Sequence, residues 1–167
     1  MEQLAIIKAN TTHIPVIRDL TMEVWPQTYT PIIGADQVAY MLGLFYTPEA
    51  LEQQMSELNH QFIIGYRQGA PVSFASYSAI EPSVFKLHKL YILPATQGSG
   101  AGRGMVDHIV QQLPAPCLLR LNVNIHNHQA RAFYKRYGFC HLRDEDINIG
   151  GGYFMNDHVL QLEVSGK

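Results

Sequence analysis

The stretch Leu87-His88-Lys89-Leu90-Tyr91-Ile92-Leu93-Pro94-Ala95-Thr96-Gln97-Gly98-Ser99-Gly100-Ala101-Gly102-Arg103-Gly104 decides how the rest of the chain is read. It passes from an apolar strand through a glycine-rich turn into the amphipathic run Met105-Val106-Asp107-His108-Ile109-Val110. Such a turn suits a phosphate group. The first N–H groups of a helix lack intrahelical acceptors, the dipole is positive there, and glycines let an anion approach the backbone. Two familiar phosphate loops fail on spacing. Four residues after Gly98 comes Gly102, followed by Arg103, so the lysine and hydroxyl of GxxxxGK[ST] are missing. The fingerprint GxGxxG puts Arg103 or Met105 at its third glycine, according to register. A glycine turn without any ligand is the plain alternative.

What does fit is Gln97-x-x-Gly100-x-Gly102, preceded by Leu90-Tyr91-Ile92-Leu93-Pro94. A second segment, Asn127-His128-Gln129-Ala130-Arg131-Ala132-Phe133-Tyr134-Lys135-Arg136-Tyr137-Gly138-Phe139, follows the pattern N-x-x-A-x-x-F-Y-x-x-x-G-F. Asn127 is a good N-cap and Gly138 a good residue just past a helix end. Asn127 and Tyr134 are two helical turns apart, so Asn127, Ala130 or Arg131, and Tyr134 share a face. In this order, over residues 84–139, the two motifs resemble the GNAT superfamily of N-acetyltransferases.

The resemblance implies an α/β fold: a mixed, mostly antiparallel central sheet of about seven strands, flanked by helices, with its central parallel strands splayed. It implies acetyl-CoA as cosubstrate, no metal, and a small primary amine as the other substrate, a polyamine being one candidate. The backbone of Tyr91, Ile92 and Leu93 would pair with pantetheine as an added strand does. Gln97, Gly98, Ser99, Gly100, Ala101, Gly102, Arg103 and Gly104 would surround the pyrophosphate, and Asn127, Ala130 and Tyr134 would complete the cofactor site. The Arg103 side chain either adds charge there or is simply solvated. Gly104 stands inside a helical run, where glycine is about 1 kcal/mol worse than alanine, which points to close approach of some group.

The whole chain is ordinary in composition. Its 167 residues suit one domain, 1–167, and 47% hydrophobic residues with a net charge of −2 give no reason to expect nucleic acid or membrane as a partner. Whether it forms a homodimer is left open. Cys117 and Cys140 start two expected strands and read as two free, buried thiols. Eight histidines without HExxH or paired-cysteine spacing do not suggest zinc. Met1-Glu2-Gln3-Leu4 lacks the basic and then apolar run of a secretory signal, and no apolar stretch has the length of a membrane span, so the expected compartment is the cytoplasm.

In chain order, residues 4–9 read as a strand, and Thr11-Thr12-His13 as a cap for a helix from about Ile14 to Val24. Pro26 and Pro31 should interrupt that helix, leaving much of residues 25–47 as polar turns around exposed aromatics. A second helical run spans residues 35–45, and a third opens at Thr47-Pro48 with Thr47 as N-cap. Strands are expected at 62–66 and 72–78 around a hairpin turn at Arg67-Gln68-Gly69-Ala70-Pro71, then at 84–93. A helix ending near Leu113, a strand at 118–125, the Asn127 helix, and strands at 141–149 and 153–164 joined by Gly150-Gly151-Gly152 complete the order. The order βααα-βββ-αβ-αββ, with its three-helix start, resembles the bacterial spermidine/spermine acetyltransferase branch.

Acetyl transfer to an amine needs a held thioester, loss of an amine proton, and neutralisation of the departing thiolate. The resemblance puts Tyr134 beside the CoA sulfur, where a phenol, protonated at neutral pH, can act as acid. The alternative is a core tyrosine packed with Phe133 and Tyr137. Many relatives carry a glutamate where this chain has His88. An imidazole is an adequate base, though a satisfied strand histidine reads equally well. Glu81 is the other nearby carboxylate. Glu23, Asp36 and Glu49 are acidic residues in the region that would face a cationic acceptor. Two other functions compete: a non-catalytic acyl-CoA-binding or sensing module on the same fold, and a nucleotide-binding protein, which the failed loop spacings disfavour.

Overall fold

The computed structural model describes residues 3–166. Seven strands and five α-helices follow the expected order: β1 (Ala5–Lys8), α1 (Ile14–Ile33), α2 (Ala35–Phe45), α3 (Pro48–Ser56), β2 (Gln61–Arg67), β3 (Ala70–Glu81), β4 (Val84–Ile92), α4 (Ala101–Gln112), β5 (Cys117–Asn124), α5 (His128–Tyr137), β6 (Cys140–Gly150) and β7 (Tyr153–Val164). The strands form one mixed sheet in the order β1-β2-β3-β4-β5-β7-β6. Strands β4 and β5 run parallel and the pairs β1/β2, β2/β3, β5/β7 and β6/β7 antiparallel. The parallel ladder runs from Val84↔Leu118 to Leu87↔Leu121, although β4 continues to Ile92 and β5 to Asn124. Among the described residues, no helix is long and apolar enough to cross a membrane.

Two compact units are present. The first comprises the chain up to Ser78 together with Lys89–Gln111. Its interior is built on Ile17, Leu20, Leu51, Phe62, Ile64, Phe74, Met105 and Ile109, all nearly inaccessible. Successive strand residues point to opposite faces, and Phe62, Ile63 and Ile64 are all buried, so β2 is covered on both sides. Gly65 on the same strand has no room for a side chain. A Cβ there would lie 2.3 Å from Ser73 Oγ and 3.0 Å from Met105 Sδ. Gly65→Ala is therefore expected to destabilise the fold by about 1–3 kcal/mol, measured by urea unfolding. The second unit comprises Ala79–His88 and the chain from Gln112 on. Leu87, Leu119, Leu121, Val123, Phe139 and Val159 form its core.

The expectation for residues 25–47 is corrected. Helix α1 runs through both Pro26 and Pro31 to Ile33, and α2 follows after Gly34. The prolines lie on the exposed side, as do Met22 and Gln27, whose carbonyls lose their helical donors four residues on and can turn to water. The buried stripe Ile14, Ile17, Leu20, Thr21, Val24 and Trp25 ends just before Pro26. Beyond it Thr28, Tyr29, Ile32 and Ile33 are half-buried, with the Tyr29 ring 4.5 Å from Trp25, so tertiary packing carries the helix past the two missing bonds. Of the aromatics expected at the surface, Trp25 and Tyr46 are inside, 4% and 2% exposed, and Tyr29, Tyr40 and Phe45 are half-buried. At the start of α1, Thr11–His13 form a 3₁₀ turn whose cap is Asn10, accepting from Thr12 N at 2.9 Å. Thr47 caps α3 as expected, accepting from Ala50 N at 3.1 Å. Neither cysteine is in a disulfide. Cys117 is buried as expected, but Cys140, expected to be buried, is exposed, because β6 is the edge strand of the sheet and exposed along most of its length.

Candidate active site

In the first unit, β4 ends in a tightly bonded turn. Leu93 N donates to Val72 O on β3 at 2.9 Å, while Leu93 O accepts from Thr96 N at 2.8 Å and Gln97 N at 3.2 Å. Gln97 Nε2 donates to Ile92 O at 3.2 Å. Successive amides of a strand point to opposite sides, so Ile92 N–H faces away from β3. Gly98 (φ +79°) and Gly100 (φ +87°) then take left-handed conformations that favour glycine, and α4 starts at once. The first helical bond runs from Gly104 N to Gly100 O at 3.0 Å, so the amides of Ala101 and Gly102 have no acceptor within the helix. Around the Cβ position of Gly98 and of Gly100 nothing lies within 4 Å. Space, amides and dipole thus fit a pyrophosphate. At Gly104 a Cβ would meet Leu4 at an ordinary 3.5 Å, so within the protein no close approach demands that glycine.

One residue that holds this loop carried no motif. Arg67, the last residue of β2, donates through Nη1 to Ser99 Oγ and through Nη2 to Ser99 O at 3.1 Å, and Ser99 Oγ in turn donates to Thr96 O. The guanidinium thereby fixes the middle of the glycine turn. Removing it in Arg67→Ala is expected to lower stability by about 2 kcal/mol and to weaken acetyl-CoA binding, read by urea unfolding and calorimetry. Tyr91 packs in an aromatic cluster with Trp25 (5.9 Å between ring centroids), Tyr29 (6.3 Å) and Phe74 (5.5 Å). Burial, and then the neighbouring Tyr29 and Tyr46, push its hydroxyl well above the usual tyrosine range. Beside them Lys89 is buried, its ammonium donating to Gln54 Oε1 at 2.8 Å and lying 5.1 Å from the Tyr46 ring centre.

In the second unit, Asn127 caps α5 as its position suggests, Oδ1 accepting from Ala130 N at 3.2 Å. Gly138 ends the helix at φ +125°, donating to Tyr134 O and Lys135 O. Tyr134 is 8% exposed, and its ring lies 5.2 Å from Phe133 and 5.4 Å from Phe139. Ala130 and His88 are half-buried, and His88 lies in β4 just past the parallel ladder. Glu81 is exposed at the turn that enters β4, the end away from the glycine loop. Glu23, Asp36 and Glu49, in the first unit, are likewise exposed.

Asp157 on β7 stood out in no motif, yet it is buried opposite Asn124. Burial raises its carboxyl above the usual range, partly offset by the Asn122 amide donating at 3.3 Å. A raised folded-state value means that the stability from this group is present at acid pH and is lost as pH rises through that value. Asp157→Asn is therefore expected to be more stable than wild type at neutral pH, with the gain vanishing at pH about 3.5 in urea titrations.

A strand that runs through a glycine turn into a helix, on this seven-stranded mixed sheet, is the arrangement that the resemblance to the N-acetyltransferases implies. The profile of the acetyltransferase (GNAT) family matches residues 18–139, and the chain belongs to that family of acetyl-CoA-dependent N-acetyltransferases. An uncharacterized N-acetyltransferase of Mycobacterium tuberculosis is 22% identical over 142 residues, 84% of this chain and 90% of that protein. The peptidyl-lysine N-acetyltransferase YjaB of Escherichia coli is 44% identical over 50 residues, 30% of this chain and 32% of that one. In fold, the chain resembles the PaiA N-acetyltransferase of Thermoplasma acidophilum, solved with coenzyme A (TM-score 0.77, 18% identity, 96% of this chain and 99% of that one). It also resembles a GCN5-related N-acetyltransferase structure from Rhodopseudomonas palustris (TM-score 0.81, 17% identity, 98% and 97% covered).

Proposed function

We propose that the chain, as one acyltransferase domain, moves the acetyl group of acetyl-CoA to a primary amine of a small molecule by direct attack. The glycine turn carries this reading, because open space at Gly98 and Gly100 meets the unpaired amides of Ala101 and Gly102. Bound acetyl-CoA supplies the thioester whose carbonyl carbon the amine attacks. Of Tyr91, Ile92 and Leu93, Ile92 is the residue that turns its amide away from β3, and it is assigned the pantetheine arm. His88 takes the proton that the amine loses, and the Tyr134 hydroxyl gives its proton to the departing thiolate. Glu81, exposed at the far end of β4, is not assigned the base.

A polyamine is one acceptor this reading allows, with exposed Glu23, Asp36 and Glu49 as the carboxylates available to a cation. The test is thiol release from acetyl-CoA across polyamines, monoamines, and peptides with free lysine or amino-terminal groups. Turnover with small amines supports the proposal. Turnover with peptides alone moves the acceptor class, and coenzyme A binding with no turnover on any amine favours the sensing module. If His88 is the base, His88→Ala should lose most rate at acid pH, where the amine arrives protonated, and recover partly as pH rises. A flat ratio of variant to wild type across pH would remove His88 from the scheme.

A further inference from the structure

The outer hairpin β6–β7 contains a group of side chains that acetyl transfer does not use. In a regular strand residues three apart face opposite sides. His141 and Asp144 of β6 do not, because the register slips between His141↔Leu160 and Arg143↔Val159. The extra residue at Leu142 is a β-bulge, a device that re-aims side chains. It turns His141 to the face of Asp144, and Asp144 is paired directly with His158 on β7. His141 Nε2 lies 2.6 Å from Asp144 Oδ1, and His158 Nδ1 is hydrogen-bonded to the same oxygen. The two imidazoles stand nearly perpendicular, at 84°, with centroids 5.0 Å apart. Arg143, the cation next to the bulge, is held instead by Glu145 at 2.9 Å.

We propose that His141, Asp144 and His158 form a binding site for a first-row divalent transition cation of the zinc class. One ligand atom from each residue lies within 4.8 Å of the others. Bonds of about 2.0–2.2 Å in tetrahedral geometry set ligand atoms about 3.3 Å apart, so shifts of around 1 Å convert the hydrogen-bonded cluster into a coordinated one. Two imidazole nitrogens and one carboxylate favour Zn²⁺, Co²⁺, Ni²⁺ or Cu²⁺ over the all-oxygen preference of Mg²⁺ and Ca²⁺. Three protein ligands leave a fourth position for water or another donor. Because β6 is the edge strand, the cation would tie that edge to β7 at the point where the bulge interrupts their ladder.

The test uses the whole chain, stripped with EDTA and titrated with Zn²⁺ by calorimetry and with Co²⁺ by visible absorption. One saturable equivalent per chain is expected, with none for Mg²⁺. Zn²⁺ should raise the melting temperature, since it binds the native state. His158→Ala or Asp144→Ala should weaken binding by at least about 10–100-fold, with melting in EDTA as the control for folding. His126→Ala/His128→Ala removes another histidine pair, whose rings lie 6.4 Å apart, and should leave binding intact. Independently of any variant, Co²⁺ should broaden the amide resonances of wild-type His141, Asp144 and His158 first. Absence of stoichiometric binding, broadening centred elsewhere, or equal loss in the His126/His128 variant would each overturn the site.

Discussion

Tyr134→Phe is expected to keep wild-type affinity for acetyl-CoA and to lose turnover by about 10²–10⁴-fold, the range of a general acid. The change removes one oxygen and leaves the ring between Phe133 and Phe139, so the packing of α5 is retained. Because the hydroxyl is assigned to the departing thiolate alone, the loss should fall on kcat with KM for acetyl-CoA unchanged. The readout is steady-state thiol release with melting temperature as control. A variant with wild-type kcat would leave positioning of the thioester as the source of catalysis, and Tyr134 as a core residue.

Aspartate in the glycine turn should have an equally large effect, on binding. Gly102 lies in the first turn of α4, where a carboxylate suits the helix dipole, so Gly102→Asp should fold normally. Its charge would face the pyrophosphate, and like-charge juxtaposition of several kcal/mol corresponds to a loss of affinity of about 100-fold or more. Gly100→Asp adds backbone strain at φ +87° and should lose both affinity and some stability. The contrast separates charge from conformation. Unchanged acetyl-CoA affinity in both variants would remove the pyrophosphate from this loop.

Where local chemistry and burial agree, the sequence was readable. The glycine turn, the Asn127 cap and the alternating β7 each obey a short-range rule, and the element order followed from them. Helix α1 was cut short because proline is a local signal. What overrides it is tertiary packing beyond the prolines, where Tyr29 lies 4.5 Å from Trp25 and Ile32 and Ile33 are half-buried. Arg67 was invisible because it acts across 32 residues on Ser99, and no local pattern marks such a contact. The proposed cation site of the outer hairpin has no sequence signature for a related reason. His141-x-x-Asp144 puts its two side chains on opposite faces of a regular strand, and only the bulge at Leu142 reverses that. Register irregularities depend on the partner strand, which the one-dimensional pattern does not contain.

The central claim is that the turn from Gly98 to Gly104 holds acetyl-CoA by its pyrophosphate. Calorimetric titration of the wild-type chain with acetyl-CoA, and separately with S-acetylpantetheine, tests it most directly, because the second ligand keeps the thioester arm and lacks the pyrophosphate. One acetyl-CoA per chain, bound at least about 100-fold more tightly than S-acetylpantetheine, is the predicted result, since charge-assisted bonds to the loop amides would supply several kcal/mol. Equal affinities for the two ligands, or NAD and ATP binding as tightly as acetyl-CoA, would contradict it.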